Sequence, residues 1–240
     1  MAKRARQNKP KGSFNEMVIE LQDYRRKKLQ IIPRNVHQED YLEMLQDPSR
    51  HVIFATGPAG TGKTMMAVQM GIRSLEEGTV DRIVITRPAV SVDEQHGFLP
   101  GDLKAKMAPW TQPIFDFLEE HYKPKQVEQM IIDKTIEISP LAYMRGRTFK
   151  KSWIIADEMQ NATQEQTKML LTRIGEGSKI VATGDLAQHD RGYDNNGLKD
   201  FLAKFSNTQY NTIGHVHFNK KDVERHPVVI DVLKIYDEAS

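Results

Sequence analysis

The chain has 240 residues, of which 39% are apolar and 28% charged, and it contains no cysteine. This length and apolar share suit one large α/β domain with a real core and argue against a wholly disordered chain. The lack of cysteine excludes disulfides, thiolate metal sites and a cysteine nucleophile, and it fits a reducing, cytoplasmic setting. No apolar run approaches the roughly 18 residues that a membrane span needs.

The net charge of +2 is the sum of two unlike parts. Residues 1–34 hold ten basic and three acidic side chains, a balance of +7, which leaves −5 for residues 35–240. Because the first dozen residues are polar and basic, we expect a disordered arm that either holds nucleic-acid phosphates or only keeps the chain soluble. We therefore divide the chain into a basic arm with an amphipathic helix, 1–34, and a globular domain, 35–240.

Helical and strand patterns alternate along the globular part. A strand over 51–56, a glycine-rich turn, a helix over 63–77 and a strand over 81–86 form a βαβ unit, which indicates a parallel sheet. Residues 88–134 interrupt this rhythm with prolines and glycines and predict loops and helices inserted at an edge of the sheet. Further helices are predicted over 14–31, 38–46, 164–174, 197–205 and 226–238, and further strands over 135–139, 152–156, 179–183 and 210–218.

The turn after the first strand reads GPAGTGKT, residues 57–64, and has the pattern of a phosphate-binding loop. Its glycines let backbone N–H groups face a phosphate at the positive end of the following helix, a context that a plain surface turn does not require. Lys63 is expected to reach the β and γ phosphates, and the Thr64 hydroxyl to bind Mg²⁺. The other residues expected to contact the nucleotide are Gly57, Pro58, Ala59, Gly60, Thr61 and Gly62.

The strand 152–156 ends in the acidic pair Asp157 and Glu158. We expect Asp157 to hold Mg²⁺ through water and Glu158 to act as general base on an attacking water. Alone, such a pair could simply cap a helix. Together with the glycine-rich loop it favours hydrolysis of a nucleoside triphosphate over phosphate transfer to a second substrate, for which no pocket is recognisable.

Gln188 follows the strand 179–183, at the edge where ligands bind in doubly wound sheets. It is a candidate for contacting the γ-phosphate or the attacking water, and a loop glutamine without a role is the alternative.

Eight segments together resemble the PhoH-like family of P-loop ATPases, which is similar to the motor core of superfamily 1 helicases. The resemblance spans about residues 35–238 and implies a three-layer α/β fold of the P-loop NTPase (RecA/helicase-like) type. That fold has a mostly parallel sheet with helices on both faces, here with an N-terminal helical extension. The resemblance also implies a Mg²⁺-dependent protein of bacteria or their phages that binds and hydrolyses ATP. The segments are GPAGTGKT (57–64), TRPAV (86–90), GFLPGDLK (97–104), PLAYMRGRTF (140–149), ADEMQNAT (156–163), LTRIG (171–175), TGDLAQ (183–188) and RHPVV (225–229).

The resemblance assigns three further residues. Gln38 falls where such ATPases place a glutamine that reads adenine. Arg225 falls where helicase-like proteins have an arginine that stabilises the γ-phosphate charge in the transition state. Arg173 competes for that role because its helix starts beside the acidic pair, and for either arginine the alternative is a surface ion pair.

Superfamily 1 helicases bind ATP between two core domains, whereas this chain has room for one. We therefore expect a homo-oligomer in which a neighbouring subunit completes the site and supplies the arginine. The resemblance suggests a hexameric ring.

Nucleic-acid contacts are expected from Arg87, Arg145 and Arg147, because arginines near an aromatic ring such as Tyr143 can hold phosphates and stack on bases. The resemblance thus predicts an RNA-helicase-like motor acting on, or regulated by, single-stranded RNA or DNA. The alternatives are arginines paired with acids of the domain and, for function, an oligomeric ATP-dependent switch that controls a protein partner without unwinding strands. His215 and His217 are expected on the solvent face of the strand 210–218.

Overall fold

The protein is described by a computed structural model over residues 29–88, 103–188, 196–206 and 210–224 and the single residues 228, 232 and 235. The side chains of 103–110 are outside this description, as is the predicted helix 14–31 apart from its last three residues. The backbone divides into two compact units, Met1–Gln30 and Ile31–Ser240. The second unit contains all the elements named below.

A parallel sheet lies at the centre of the second unit. Its described strands follow the order β3-β2-β4-β5-β1-β6, and every neighbouring pair is parallel, which confirms the predicted α/β class. The last strand is shorter than predicted because it pairs only with the five residues of its neighbour. The strands are β1 (Val52–Thr56), β2 (Arg82–Thr86), β3 (Ile136–Ile138), β4 (Ser152–Ala156), β5 (Lys179–Gly184) and β6 (Ile213–His217).

Helices cover both faces of this sheet. The crossover from β1 to β2 and the crossover from β4 to β5 run in opposite directions along the sheet, so right-handed connections place their helices on opposite faces. None of the helices in the described ranges is both long and apolar enough to cross a membrane. The helices are α1 (Val36–Gln46), α2 (Lys63–Glu76), α3 (Leu103–Glu119), α4 (Pro124–Ile132), α5 (Gln164–Leu171) and α6 (Gly197–Phe205).

The inserted region and the C-terminal segment agree with the predicted pattern where they are described. Helices α3 and α4 lie within 88–134, the stretch predicted to hold loops and helices. Residues 228, 232 and 235 are helical and fall within the predicted closing helix 226–238. Short 3₁₀ turns follow three strands, at Leu141–Met144, Met159–Asn161 and Lys220–Asp222.

Side chains fix both ends of α1. The Asn35 side chain accepts a hydrogen bond from the Gln38 backbone N–H at 2.9 Å, so the helix starts two residues earlier than predicted. At the other end, the Lys179 ammonium donates to the carbonyl oxygens of Leu45 (2.7 Å) and Asp47 (2.8 Å). Burial lowers the pKa of Lys179 to about 8. The first residue of β5 thus holds the C-terminal end of α1 in place.

The packing of α2 on the sheet depends on a close approach to Trp153. The indole N–H donates to the Ala67 carbonyl oxygen at 3.0 Å, within a helix turn of Gly71. A Cβ atom on Gly71 would lie 2.7 Å from Trp153 Cδ1, closer than van der Waals contact allows. Gly71 therefore sets how closely α2, which begins at the phosphate loop, approaches the sheet.

We expect Gly71→Ala to destabilise the protein despite the better helix propensity of alanine. The propensity gain is about 1 kcal/mol, whereas overpacking a core costs about 1–3 kcal/mol. The net loss corresponds to roughly 2–4 °C in Tm per kcal/mol for a chain of this size, measured by thermal unfolding. Gln69→Ala, in the same helix but only half-buried, is the control, and an unchanged or higher Tm for Gly71→Ala would contradict the packing argument.

Candidate functional site

A cavity of about 370 Å³ lies at the carboxyl edge of the sheet. The order β4-β5-β1 makes the ends of these three strands neighbours, so the loops that follow them meet at one place. Ligands of open α/β sheets bind at this edge. The lining residues include Arg34, Gln38, Ala59, Gly60, Thr61, Gly62, Lys63, Thr64, Asp157, Glu158, Thr183, Gly184, Asp185, Gln188 and Glu224.

The phosphate loop has the backbone that its glycines predict. Gly57, Gly60 and Gly62 have φ values of 131°, 82° and 84°, which other residues adopt only with strain. A Cβ on Gly57 would also lie 2.2 Å from the Phe218 carbonyl oxygen, so the loop and the segment after β6 require glycine there. The loop then ends at Lys63, the first residue of α2, where helix N–H groups face the cavity.

The Lys63 ammonium is buried inside the loop. It donates to the carbonyl oxygens of Gly57 and Pro58, both at 2.7 Å. Burial lowers the pKa of Lys63, and the nearby Asp185, Glu158 and Asp157 partly counter this effect. The lysine can neutralise part of the charge of an incoming polyanion, whereas the three carboxylates nearby oppose that charge.

Asp157, which follows β4, contacts the start of α2 and the strands β5 and β2. Its Oδ1 accepts hydrogen bonds from the hydroxyls of Thr64 (2.8 Å), at the start of α2, and Thr183 (2.5 Å), in β5. Its backbone N–H donates to the Thr86 carbonyl oxygen at 2.9 Å, which fixes the residue against β2. The predicted partners Thr64 and Asp157 are therefore together, and their hard oxygen donors fit Mg²⁺.

Glu158 lies beside Asp157 in a left-handed conformation, with φ 54°. Its carboxylate accepts a hydrogen bond from the side-chain amide of Gln160 and lines the cavity. Positive φ is uncommon for a glutamate and persists only where neighbours fix it. The arrangement directs the predicted general base towards the place where phosphates would lie.

Gln38 is buried against the phosphate loop. Its Nε2 donates to the Thr61 carbonyl oxygen at 3.1 Å, and its Oε1 accepts from the Arg34 backbone N–H at 2.8 Å. One amide hydrogen and one lone pair remain for a ligand. Gln38 therefore braces the loop, and it still lines the cavity on the side of the Arg34–Glu224 ion pair (3.0 Å).

The other predicted catalytic residues differ in their position relative to the cavity. Gln188 is exposed, lines the cavity, and donates its backbone N–H to the Asp185 carbonyl oxygen at 3.1 Å. Arg173 is not among the described residues that line the cavity. Its guanidinium donates to the carbonyl oxygens of Met169 (3.3 Å) and Arg147 (3.4 Å). Arg225 lies outside the described residues.

The three candidate nucleic-acid arginines differ in their surroundings. Arg147 forms a bidentate ion pair with Glu137, and its guanidinium lies 4.5 Å from the centre of the Phe149 ring. It therefore matches the alternative prediction of an arginine paired with an acid of the domain. Arg145 is exposed and has no ion pair with any described residue. The Nε atom of Arg87 is buried without a hydrogen-bond partner in the described ranges.

A family profile described as "PhoH-like protein" matches residues 30–237. The chain belongs to the PhoH-like family. It is 39% identical over 207 residues to the "PhoH-like protein" of Synechocystis sp., covering 86% of this chain and 62% of that protein. It is 40% identical over 210 residues to "Protein PhoH" of Escherichia coli K12, covering 86% and 58%.

This PhoH-like protein thus spans about three fifths of the length of these two curated relatives. Among solved structures, the Pif1 helicase of Candida albicans covers 79% of this chain and 41% of its own, with a TM-score of 0.38 and 17% sequence identity. Family membership and the glycine-rich loop together identify a P-loop protein, the class whose loop binds nucleotide phosphates.

Three site residues of this PhoH-like protein were missed by the sequence reasoning: Gln160, Thr183 and Asp185. Thr183 and Asp185 lie inside the segment TGDLAQ, in which only Gln188 had been singled out. An aspartate after a buried strand, the signal used for Asp157, was present at Asp185 too. Nothing local marks Gln160, because its partner Asp185 follows a different strand and lies 25 residues further along the chain.

The expectation that His215 and His217 lie on a solvent face is wrong for His215. Its Nε2 and the Nδ1 of His217 both share hydrogen bonds with the Thr56 hydroxyl, at 2.8 and 3.1 Å. Burial, and secondarily His217, lowers the pKa of His215. Thr56 is the last residue before the phosphate loop, so both histidines pack against the base of the site, and only His217 is also exposed.

We expect the free energy of unfolding to decrease as the pH falls from about 7 to 5. The unfolded chain protonates His215 near pH 6.5, whereas the folded protein resists protonation until a lower pH, so the unfolded state binds more protons in this window. Urea unfolding at pH 5, 6 and 7 measures the decrease. It should be smaller in His215→Gln, and equal decreases in both proteins would contradict the assignment.

Proposed function

We propose that this PhoH-like protein hydrolyses ATP in a Mg²⁺-dependent reaction at the cavity described above. The observation that carries the proposal is the meeting of the Thr64 and Thr183 hydroxyls at the Asp157 carboxylate, beside the buried Lys63 ammonium. Within the described ranges no group of three or more histidine or acidic side chains could hold a metal ion. Magnesium commonly takes only one or two protein ligands and completes its shell with water and phosphates.

Each residue has a role in this reaction that follows from its position. The loop N–H groups and Lys63 bind the phosphates, and Thr64 and Asp157 would hold the ion. When bound, Mg²⁺ withdraws charge from the phosphate oxygens. Glu158 orients and deprotonates the attacking water, and Gln188 contacts the γ-phosphate or that water.

The base of the nucleotide is assigned to the side of the cavity formed by Gln38, Arg34 and Glu224. The free amide hydrogen and lone pair of Gln38 match the adjacent acceptor and donor of adenine, N7 and the N6 amino group. The Arg34–Glu224 ion pair borders this side of the cavity. The Glu224 backbone N–H donates to the Gly60 carbonyl oxygen at 2.9 Å, which holds the pair against the phosphate loop.

The proposal includes single-stranded nucleic acid bound along the same edge of the sheet. Tyr143 is 63% exposed and is close in sequence to Arg145, which has no ion pair with a residue that the structure describes. The Leu141 backbone N–H donates to the Arg87 carbonyl oxygen at 3.3 Å, which places this 3₁₀ turn beside Arg87, whose buried Nε has no hydrogen-bond partner among the described residues. A stacking ring with two cations nearby is the combination that holds bases and phosphates without sequence preference.

A homo-oligomer, a hexamer by family resemblance, completes the proposal. The Arg173 guanidinium contacts the carbonyl oxygens of Met169 and Arg147 and is not among the described residues that line the cavity, which favours a role at the nucleotide of another copy. Arg173 and Arg225 are the two candidates for this arginine, and turnover per subunit that rises with protein concentration would support its supply by a neighbour.

We expect ATP turnover, measured as phosphate release, to fall to background in Lys63→Ala. In Glu158→Gln it should fall by about 10²–10⁴-fold while ATP still binds, because only the base is lost. Lys150→Ala, an exposed lysine before β4, is the control and should keep full activity. Normal turnover in Lys63→Ala would overturn the site assignment.

Tyr143→Ala should weaken binding of a fluorescent 20-nucleotide rU or dT strand by about 5- to 150-fold, the loss expected for one stacked base. Arg145→Ala should weaken binding and lower the slope of log affinity against log salt by about one phosphate contact. Lys150→Ala again serves as the control. Absent binding, with turnover unchanged by either strand, would favour the ATP-dependent switch over the nucleic-acid motor.

A further inference from the structure

The buried side chain of Gln160 connects two loops of the site. It lies in the 3₁₀ turn Met159–Asn161 and is 4% exposed. Its Nε2 donates to a carboxylate oxygen of Glu158, and its Oε1 accepts from the Asp185 backbone N–H at 3.1 Å. The same amide therefore holds a residue after β4 and a residue after β5.

The backbone around Gln160 is shaped to receive it. A Cβ on Gly184 would lie 2.8 Å from Gln160 Oε1 and 3.2 Å from its backbone nitrogen, so a side chain at 184 would expel the amide. Glu158, at the other end of the connection, has the left-handed φ of 54°. Strain of this kind persists where the surroundings over-determine a conformation, and it concentrates at functional sites.

The polarity of the connection is fixed. The end that faces Glu158 must donate, because a carboxylate only accepts, and the end that faces Asp185 must accept, because a backbone N–H only donates. Among side chains of this length, glutamine satisfies both ends without depending on a protonation state. Glu158, Asp185 and Gln188 all line the cavity, so Gln160 ties the general base to the loop that would meet the γ-phosphate.

We propose that Gln160 is a positioning residue that orients the Glu158 carboxylate. The orientation depends on the position of the loop 185–188, because the Asp185 N–H holds the other end of the Gln160 amide. The proposal rests on the ATP hydrolysis proposed above. When the loop moves to contact a γ-phosphate, the Asp185 N–H carries the Gln160 amide with it, and Glu158 follows. Hydrolysis then depends on the loop being in place, whereas nucleotide binding does not.

The test compares Gln160→Met and Gln160→Glu with the wild type, with Gln164→Met as the control at an exposed position of α5. Methionine keeps the length and removes both hydrogen bonds. Glutamate keeps the acceptor for Asp185 but, when ionised, cannot donate to Glu158. Steady-state phosphate release gives kcat and KM, a fluorescent ATP analogue gives Kd, and thermal unfolding checks the fold.

We expect kcat to fall about 10- to 100-fold in both Gln160 variants, as a misplaced base would cause, with Kd for the analogue within about twofold of wild type. In the background of Glu158→Gln, Gln160→Met should cause no further loss, because the group that it positions is gone.

Wild-type kcat in Gln160→Met, full activity in Gln160→Glu, or losses that multiply in the double variant would each overturn the inference. So would a Kd that rises in parallel with the fall in kcat, since that marks a general disturbance of the site. Turnover by wild type and its loss in Glu158→Gln decide the proposed function separately, before the Gln160 comparison is made.

Discussion

The Asp157 carboxylate is the contact on which the arrangement of the site depends. It follows β4, yet its Oδ1 accepts from a threonine at the start of α2 and from another in β5, and its backbone N–H binds the end of β2. These bonds connect α2, β5 and β2 to the residue that directly follows β4. A carboxylate suits this position because it offers several acceptor sites and no donor, so two hydroxyls can converge on one oxygen.

The second constraint is electrostatic. The Lys63 ammonium is buried and donates to two carbonyl oxygens of the phosphate loop. Burial lowers its pKa, and the nearby acids partly counter this effect. An isolated buried ammonium would be costly, but partners on both sides make the charge tolerable. The site thus holds one cation among three carboxylates and carries a net negative charge of its own. A polyphosphate would bind well there only together with a divalent cation, which gives a physical reason for the proposed dependence on Mg²⁺.

The sequence was most informative where the site is formed by residues that are close together along the chain. The glycine-rich loop needs particular residues at fixed spacing between a strand and a helix, and the acidic pair directly ends a strand, so both were predictable. Gln160, Thr183 and Asp185 act through the adjacency of β4 and β5, and adjacency in a sheet is not visible in local patterns. The error at His215 has the same origin: β6 alternates as an edge strand should, but the Thr56 hydroxyl of the neighbouring β1 draws both histidines towards the sheet. Arg147 was likewise grouped with Arg145 by sequence, whereas the fold pairs it with Glu137 in β3.

The end of β2 links the two surfaces of the proposed function. Thr86 accepts a hydrogen bond from the Asp157 N–H, and Arg87, the next residue, accepts one from Leu141 at the start of the turn that presents Tyr143 and Arg145. Two successive peptide groups therefore connect the acid assigned to the metal ion with the surface assigned to nucleic acid. Parallel strands place such consecutive groups at one edge, which is why a single sheet can carry both of the proposed binding surfaces.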